Sequence, residues 1–256
     1  MLKFFDCNSA IGRWKRPRFG AYETADELER VLDYLQVERA LVYHAFALEG
    51  HPTLGNAMLM QELAGRPRLL PSWVLIPHHT GEMPAPDFLV DNLLSQGVRF
   101  VRLFPGTAGH GFSLEPWCID PLFEKLAEHR IPALIDFMLF RRDDPDWGLI
   151  HTLCQRYPTL PIILAGQGIG RASRSFYSLL QVCPNLYIEL SKYTPFRGIE
   201  AICQRVDAKR LLYGSGLPQV APGVSMTSIT HASVSDEEKM LIASGNLERL
   251  LAEVIA

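Results

Sequence analysis

Short apolar segments rich in β-branched and aromatic residues alternate with amphipathic helical segments along this chain. Eight segments are predicted as strands: residues 3–8, 40–44, 69–74, 98–103, 133–137, 162–165, 186–190 and 210–213. Apolar strands that alternate with helices are typical of βαβ units, which build parallel sheets. Eight such units in 256 residues predict a single-domain α/β protein, a (β/α)8 TIM-like barrel over residues 1–256.

The helical segments carry recognisable start signals. Thr24 is followed three residues later by Glu27, and Ser235 by Glu238, which is the spacing of a capping box. The helix that follows Ser235 is expected to cover the barrel. Further helices are predicted in the intervals before the later strands, at residues 121–130, 147–156, 173–182 and 198–206. The longer irregular segments follow strands, where a barrel forms its active-site face.

Composition argues against several classes of function. A net charge of −3 at pH 7 gives no reason to expect a nucleic-acid partner. No apolar run approaches the roughly 18 residues of a membrane span, and the first apolar stretch is too short for a secretory signal. We therefore expect a cytoplasmic protein without membrane contact. The five cysteines never form a C-x-x-C pair, which argues against a disulfide framework or a cysteine zinc site.

Four segments resemble signatures of one family. They are Asp6-Cys7-Asn8-Ser9-Ala10, Leu164-Ala165-Gly166-Gln167-Gly168, Gly214-Ser215-Gly216-Leu217-Pro218 and Gly245-Asn246-Leu247-Glu248-Arg249-Leu250-Leu251. Together they resemble the amidohydrolase-related metal-dependent hydrolases, over nearly the whole chain. The resemblance implies a TIM barrel whose nominal activity is hydrolysis, or non-oxidative decarboxylation, of a small organic acid or lactone. It also leaves a homodimer open, because many barrels of the family associate in pairs.

The metal ligands that the resemblance implies are replaced in this chain. The first strand of the family ends in Asp-x-His-x-His, and the two histidine positions are Asn8 and Ala10 here. The family's fifth-strand histidine falls at Asp136, and its eighth-strand aspartate at Gly216. A neutral asparagine is a poor ligand for a transition metal, and alanine offers none.

The sixth-strand histidine of the family falls at Gly166 or Gln167, and the register between the two stays open. A hydrolytic zinc site needs about three protein ligands and an open position for water. We therefore predict no metal and no other cofactor. The alternative is a site rebuilt from other residues, namely Asp6, His44, Asp136 or Glu189.

Polar residues remain at the predicted carboxyl ends of the strands. Arg102 has apolar neighbours, so its charge needs a carboxylate partner or an anionic ligand. Asp136 and Glu189 are either the partners of Arg102 in a salt bridge or members of a binding site. We assign Asp136 as the acid–base group and Arg102 as the anchor of a small anionic ligand. Asn8 and Gln167 are predicted to orient that ligand through hydrogen bonds, with Glu189 as a further binding residue.

A second hypothesis comes from a different class of function. The replaced residues at Asn8, Ala10, Asp136 and Gly216 favour a catalytically inactive barrel that binds a metabolite or a protein partner. Cys7 lies next to Asn8, and a nucleophilic role is conceivable there. Because successive side chains of a strand alternate in direction, Cys7 is expected to point away from the interior if Asn8 faces inward.

Overall fold

The computed structural model describes residues 2–16, 22–137, 146–165 and 173–256, and their strands confirm the expected barrel. The third barrel strand is split at Ser72, so that its first segment pairs with the second strand and its second segment with the fourth. All pairings are parallel. In chain order the strands are Phe4–Ile11, Val37–His44, Leu69–Pro71 with Trp73–Val74, Val101–Leu103, Ala133–Asp136, Ile162–Ala165, Leu186–Glu189 and Leu211–Leu212.

Backbone hydrogen bonds close the barrel between the first strand and the segment that contains the eighth. The amide of Cys7 donates to the carbonyl oxygen of Tyr213 at 3.1 Å, and the amide of Gly216 donates to that of Asn8 at 2.9 Å. The amide of Ala10 donates to the Leu217 carbonyl oxygen at 3.0 Å. A closed sheet satisfies the backbone groups that an open edge would leave unpaired.

Helices follow the strands and pack on the outside of the barrel. Both predicted capping boxes are present, at Thr24 with Glu27 and at Ser235 with Glu238. The helix predicted from Pro121 instead begins at Pro116, which suits a first helical turn equally well. The main helices are Ala25–Leu35, Ala45–Glu49, Pro52–Glu62, Pro86–Ser95, Pro116–Glu128, Trp147–Arg156, Ser173–Val182, Gly198–Arg205, Gly223–His231, Asp236–Met240 and Asn246–Ala252. None of the helices within the described ranges is long and apolar enough to cross a membrane.

Apolar side chains fill the lower part of the barrel, near the amino ends of the strands. The final helix contributes Leu247, Leu250 and Leu251 to the cluster of buried apolar residues in this part of the barrel. The helix therefore covers the barrel at its lower end. The strand residues of this interior cluster are Phe5, Cys7, Leu41, Phe100, Leu134, Ile163, Ala165, Tyr187 and Leu212. The buried polar side chains Asn8, Arg102 and Glu189 lie above this cluster, toward the ends of the strands.

The side chain of Asn246 docks the final helix on the eighth strand. Its Nδ2 donates to the carbonyl oxygens of Ala208, at 2.9 Å, and Leu211, at 2.8 Å, and the residue is fully buried. Asn246→Ala would leave both buried carbonyl groups without this donor, so the free energy of unfolding should fall by about 2 to 4 kcal/mol. Urea unfolding measures this change. Asn92→Ala, on the exposed face of the helix Pro86–Ser95, is the control, and equal midpoints for the two variants would contradict the assigned role.

Candidate active site

An extra residue in the first strand directs two consecutive side chains, those of Cys7 and Asn8, into the barrel interior. Asp6 pairs with Ala40 and Ser9 with Val42, so the first strand advances three residues while the second advances two. Such a β-bulge breaks the alternation of side chains. The expectation that Cys7 points away from the interior is therefore wrong.

Cys7 packs in the interior cluster, while the side chain of Asn8 reaches Arg102 inside the barrel. Burial, with the nearby charges of Glu189 and Asp6, raises the pKa of the Cys7 thiol well above its usual range. A thiol held in its neutral form is a poor nucleophile. Cys7 is thus a packing residue of the barrel interior.

Arg102 lies at the centre of the upper barrel, where only 1% of its surface is exposed. Its Nη2 donates to Oδ1 of Asn8 at 2.5 Å. Two aromatic rings contact the guanidinium: its central carbon lies 4.4 Å from the ring centroid of Tyr43 and 5.4 Å from that of Phe104. Cation–π contacts of this kind stabilise a desolvated guanidinium by about 2 kcal/mol.

These contacts do not neutralise the charge of Arg102. The ion pairs that join described residues do not include it. Its Nε is buried and has no hydrogen-bond partner within the described part of the chain. Burying an ion that has no close ion pair costs several kcal/mol. The guanidinium therefore favours an anion beside it.

Glu189 ends the seventh strand and is fully buried. Its Oε1 accepts a hydrogen bond from the amide of Ser191 at 2.7 Å, and its Oε2 accepts one from the Ser191 hydroxyl at 2.9 Å. Burial raises the pKa of this carboxyl group, the bonds from Ser191 and the charge of Arg102 oppose the rise, and Asp136 adds to it. A Cβ on Gly214 would stand 1.9 Å from Oε1, so the glycine leaves the room that the carboxyl group occupies.

Asp136 ends the fifth strand and is partly exposed. Burial raises the pKa of the Tyr43 phenol, Arg102 opposes this rise, and the charge of Asp136 adds to it. Asp136 acts on Glu189 in the same way, so it lies within electrostatic reach of both groups. The structure thus brings together four of the predicted site residues, Asn8, Arg102, Asp136 and Glu189. Gln167 lies outside the described residues.

The described residues do not fit the metal site that the family resemblance implies. Asn8 offers its Oδ1 to the Arg102 guanidinium, and Ala10 packs among apolar and aromatic side chains that include Val74. Gly216 has no donor, and its φ of 70° suits glycine. Across the described ranges, no three His, Cys, Asp or Glu side chains are grouped closely enough to hold a metal ion.

The side chains of the rebuilt alternative are engaged elsewhere. Oδ1 of Asp6 accepts hydrogen bonds from the amides of Asn8 and Ser215, each at 2.8 Å. Its Oδ2 accepts from the hydroxyls of Ser9 and Ser215. Nδ1 of His44 accepts from the amide of Phe46 at 3.1 Å, and burial lowers the pKa of the imidazole. Asp6 ties the first strand to the eighth, and His44 caps a helix.

Tyr43 and Ser191 are site residues that sequence analysis missed. Tyr43 pairs in register with Ala10, one of the positions that the family resemblance had marked, but this register is known only from the structure. The position of Ser191 depends on a turn after the seventh strand, and no local pattern shows that this turn returns to Glu189.

Comparisons with known proteins agree with this fold. A family model described as Amidohydrolase matches residues 12–252. A comparison with curated proteins gives no match. Among solved structures, an uncharacterized TIM-barrel protein from Bordetella bronchiseptica is 17% identical, with a TM-score of 0.70 over 98% of this chain and 99% of that one.

Two decarboxylases are similar to the chain over nearly their whole length. A 2,6-dihydroxybenzoate decarboxylase from Rhizobium is 14% identical, with a TM-score of 0.70 over 98% of this chain and 99% of that one. A dihydroxybenzoic acid decarboxylase from a Polaromonas species, with bound manganese and the inhibitor 2-nitroresorcinol, is 12% identical, with a TM-score of 0.69 over 98% and 97%. At such identities the likeness establishes the fold alone.

The raised pKa of Glu189 predicts a dependence of stability on pH. Because the folded state holds this proton more tightly than the unfolded state, the stabilisation is complete below the ordinary value of 4.5 and is lost as pH rises through the folded pKa. Glu189→Gln keeps an acceptor for the Ser191 amide and removes the titration. We expect the variant to gain stability relative to the wild type as pH rises above 4.5, the ordinary value for this group.

Urea unfolding over this pH range measures the difference. Glu237→Gln changes an exposed carboxylate at the start of the helix Asp236–Met240 and serves as the control. If the stability of Glu189→Gln follows the wild type in parallel at every pH, the carboxyl group does not titrate as described.

Proposed function

This chain belongs to the amidohydrolase family, and we propose that it is a hydrolase or non-oxidative decarboxylase of a small organic acid or lactone. The buried guanidinium of Arg102 carries the proposal, because it has a hydrogen-bond donor without a partner in the described chain and no counter-ion there. A carboxylate ligand supplies a negative charge for the guanidinium and a hydrogen-bond acceptor for its Nε. The two decarboxylases that share the fold act, by their names, on small aromatic acids, which supports this class of substrate.

Arg102 and the side chains around it have different roles in binding the ligand. Arg102 holds the carboxylate, and Tyr43 and Phe104 keep the plane of the guanidinium fixed. Asn8 binds the guanidinium on one side and restricts its rotation. A fixed donor that binds its ligand without rearrangement costs little conformational entropy on binding.

We assign proton transfer to Asp136, at the end of the fifth strand. In a decarboxylation the electron pair of the breaking C–C bond stays on the substrate carbon, carbon dioxide leaves, and Asp136 delivers the proton to that carbon. In a hydrolysis Asp136 takes the proton of the attacking water and passes it to the leaving oxygen or nitrogen. Glu189, with its raised pKa, is a second group that can hold a proton beside the ligand.

A catalytically inactive barrel that binds a metabolite is the second candidate. Within the described residues, the ligand positions implied by the family are occupied by Asn8, Ala10 and Gly216, which favours this reading. It shares the Arg102 anion site with the first candidate, so binding alone does not distinguish the two candidates. A measurement of turnover distinguishes them.

Asp136→Asn should lower turnover by about a hundredfold or more, because the amide cannot accept and return a proton. Turnover is measured on a panel of hydroxybenzoates and lactones, through carbon dioxide release and acid release. Asp87→Asn removes an exposed carboxylate on the helix Pro86–Ser95 and should leave turnover unchanged.

Retention of full turnover by Asp136→Asn would contradict the assigned role of this residue. Wild-type protein that binds members of the panel and transforms none of them would favour the second candidate. Circular dichroism and thermal unfolding show that each variant is folded before its activity is compared.

A further inference from the structure

We infer that the Arg102 guanidinium takes the place of a divalent metal ion in this barrel, so that the protein binds a small organic carboxylate without a metal. The inference rests on the function proposed above for the class of ligand. It goes beyond that function in naming the cation that holds the ligand.

Of the two first-strand positions that would bind a metal by family resemblance, one contacts the guanidinium and the other lies in the cluster of the two rings that contact it. Oδ1 of Asn8 accepts the hydrogen bond from Nη2 of Arg102 at 2.5 Å. Ala10 packs in one cluster with Tyr43 and Phe104, the two rings that contact the guanidinium. The positions of Asn8 and Ala10 thus contribute to the surroundings of a planar organic cation, the guanidinium of Arg102.

A metal ion and this guanidinium exclude each other electrostatically. Arg102 is fully buried, so little solvent screens its charge from a second cation placed beside Asn8. A guanidinium also stays protonated at any pH at which the protein folds. It therefore provides a permanent positive charge at the site, independent of metal supply.

Removal of the guanidinium should weaken carboxylate binding without lowering the melting temperature. Arg102→Met keeps a long side chain that can pack on Tyr43 and Phe104 but removes the charge and the donors. Charge-assisted hydrogen bonds predict that carboxylate binding weakens by about tenfold to a hundredfold. Because no ion pair within 4.0 Å joins the buried charge to a described residue, the melting temperature of the unliganded variant should equal or exceed that of the wild type.

The test uses the whole chain treated with EDTA and dialysed, with benzoate and 2,6-dihydroxybenzoate as probes in isothermal titration calorimetry. We expect at least one probe to bind, with an affinity that added zinc or manganese does not improve. Arg39→Met is the matched control. Arg39 also lies over an aromatic ring, 4.3 Å from the centroid of Phe5, but it is solvent-accessible, pairs with Glu248 and sits at the other end of the barrel.

Several results would overturn the inference: binding only when metal is added, near-stoichiometric zinc or manganese in the purified protein, no binding of either probe, or equal binding by Arg102→Met. A fall in the melting temperature of unliganded Arg102→Met would show that the arginine is structural and would also overturn it. The Asp136→Asn variant keeps the two proposals apart. It should bind the probes like the wild type, whereas its turnover tests only the proposed function.

Discussion

The upper half of the barrel depends on the buried carboxylate of Asp6. It accepts hydrogen bonds from amides and hydroxyls on both sides of the closure, from Asn8 and Ser9 on the first strand and from Ser215 beyond the eighth. Burial raises its pKa, while these bonds oppose the rise. The carboxylate thus fixes the bulge on one strand against the turn after another, and this geometry carries Asn8 to Arg102.

The electrostatic state of the site follows from how little solvent reaches it. Glu189 and Arg102 are both buried within electrostatic reach of each other, yet they form no ion pair within 4.0 Å. Ser191 engages both oxygens of the carboxyl group, which directs it toward the turn after its own strand. The Nε of the arginine therefore has no hydrogen-bond partner within the described ranges, and we expect this buried group to lower the stability of the fold, as is common where a protein holds a binding group ready.

Local patterns in the sequence predicted the elements that depend on local properties. The helices predicted at 147–156 and 173–182 have the bounds found in the structure, since their apolar periodicity lies within the segment itself. The convergence of Arg102, Asp136 and Glu189 followed from the rule that parallel strands end at one face of a barrel. Neither argument predicts the bulge at Cys7 and Asn8, because one extra residue in a strand produces no recognisable pattern in the sequence.

The partners of Arg102 could not be predicted from the sequence either. An arginine among apolar residues indicated that something compensates its charge, and a salt bridge to a carboxylate was one expectation. The structure instead places beside it Asn8 and Tyr43, from the first and second strands, and Phe104, two residues further along its own segment. Such contacts depend on tertiary packing across the barrel, for which a single sequence carries no periodic signal.

Gly214 and Glu189 constrain the order in which this site can evolve. The glycine is required by the neighbouring carboxyl group rather than by a left-handed backbone, since any Cβ there would overlap Oε1. A side chain at position 214 therefore requires the side chain at 189 to become shorter or to leave its present position and its bonds with Ser191. The pair is thus epistatic, and a homologue with a larger residue at 214 should carry a smaller one at 189.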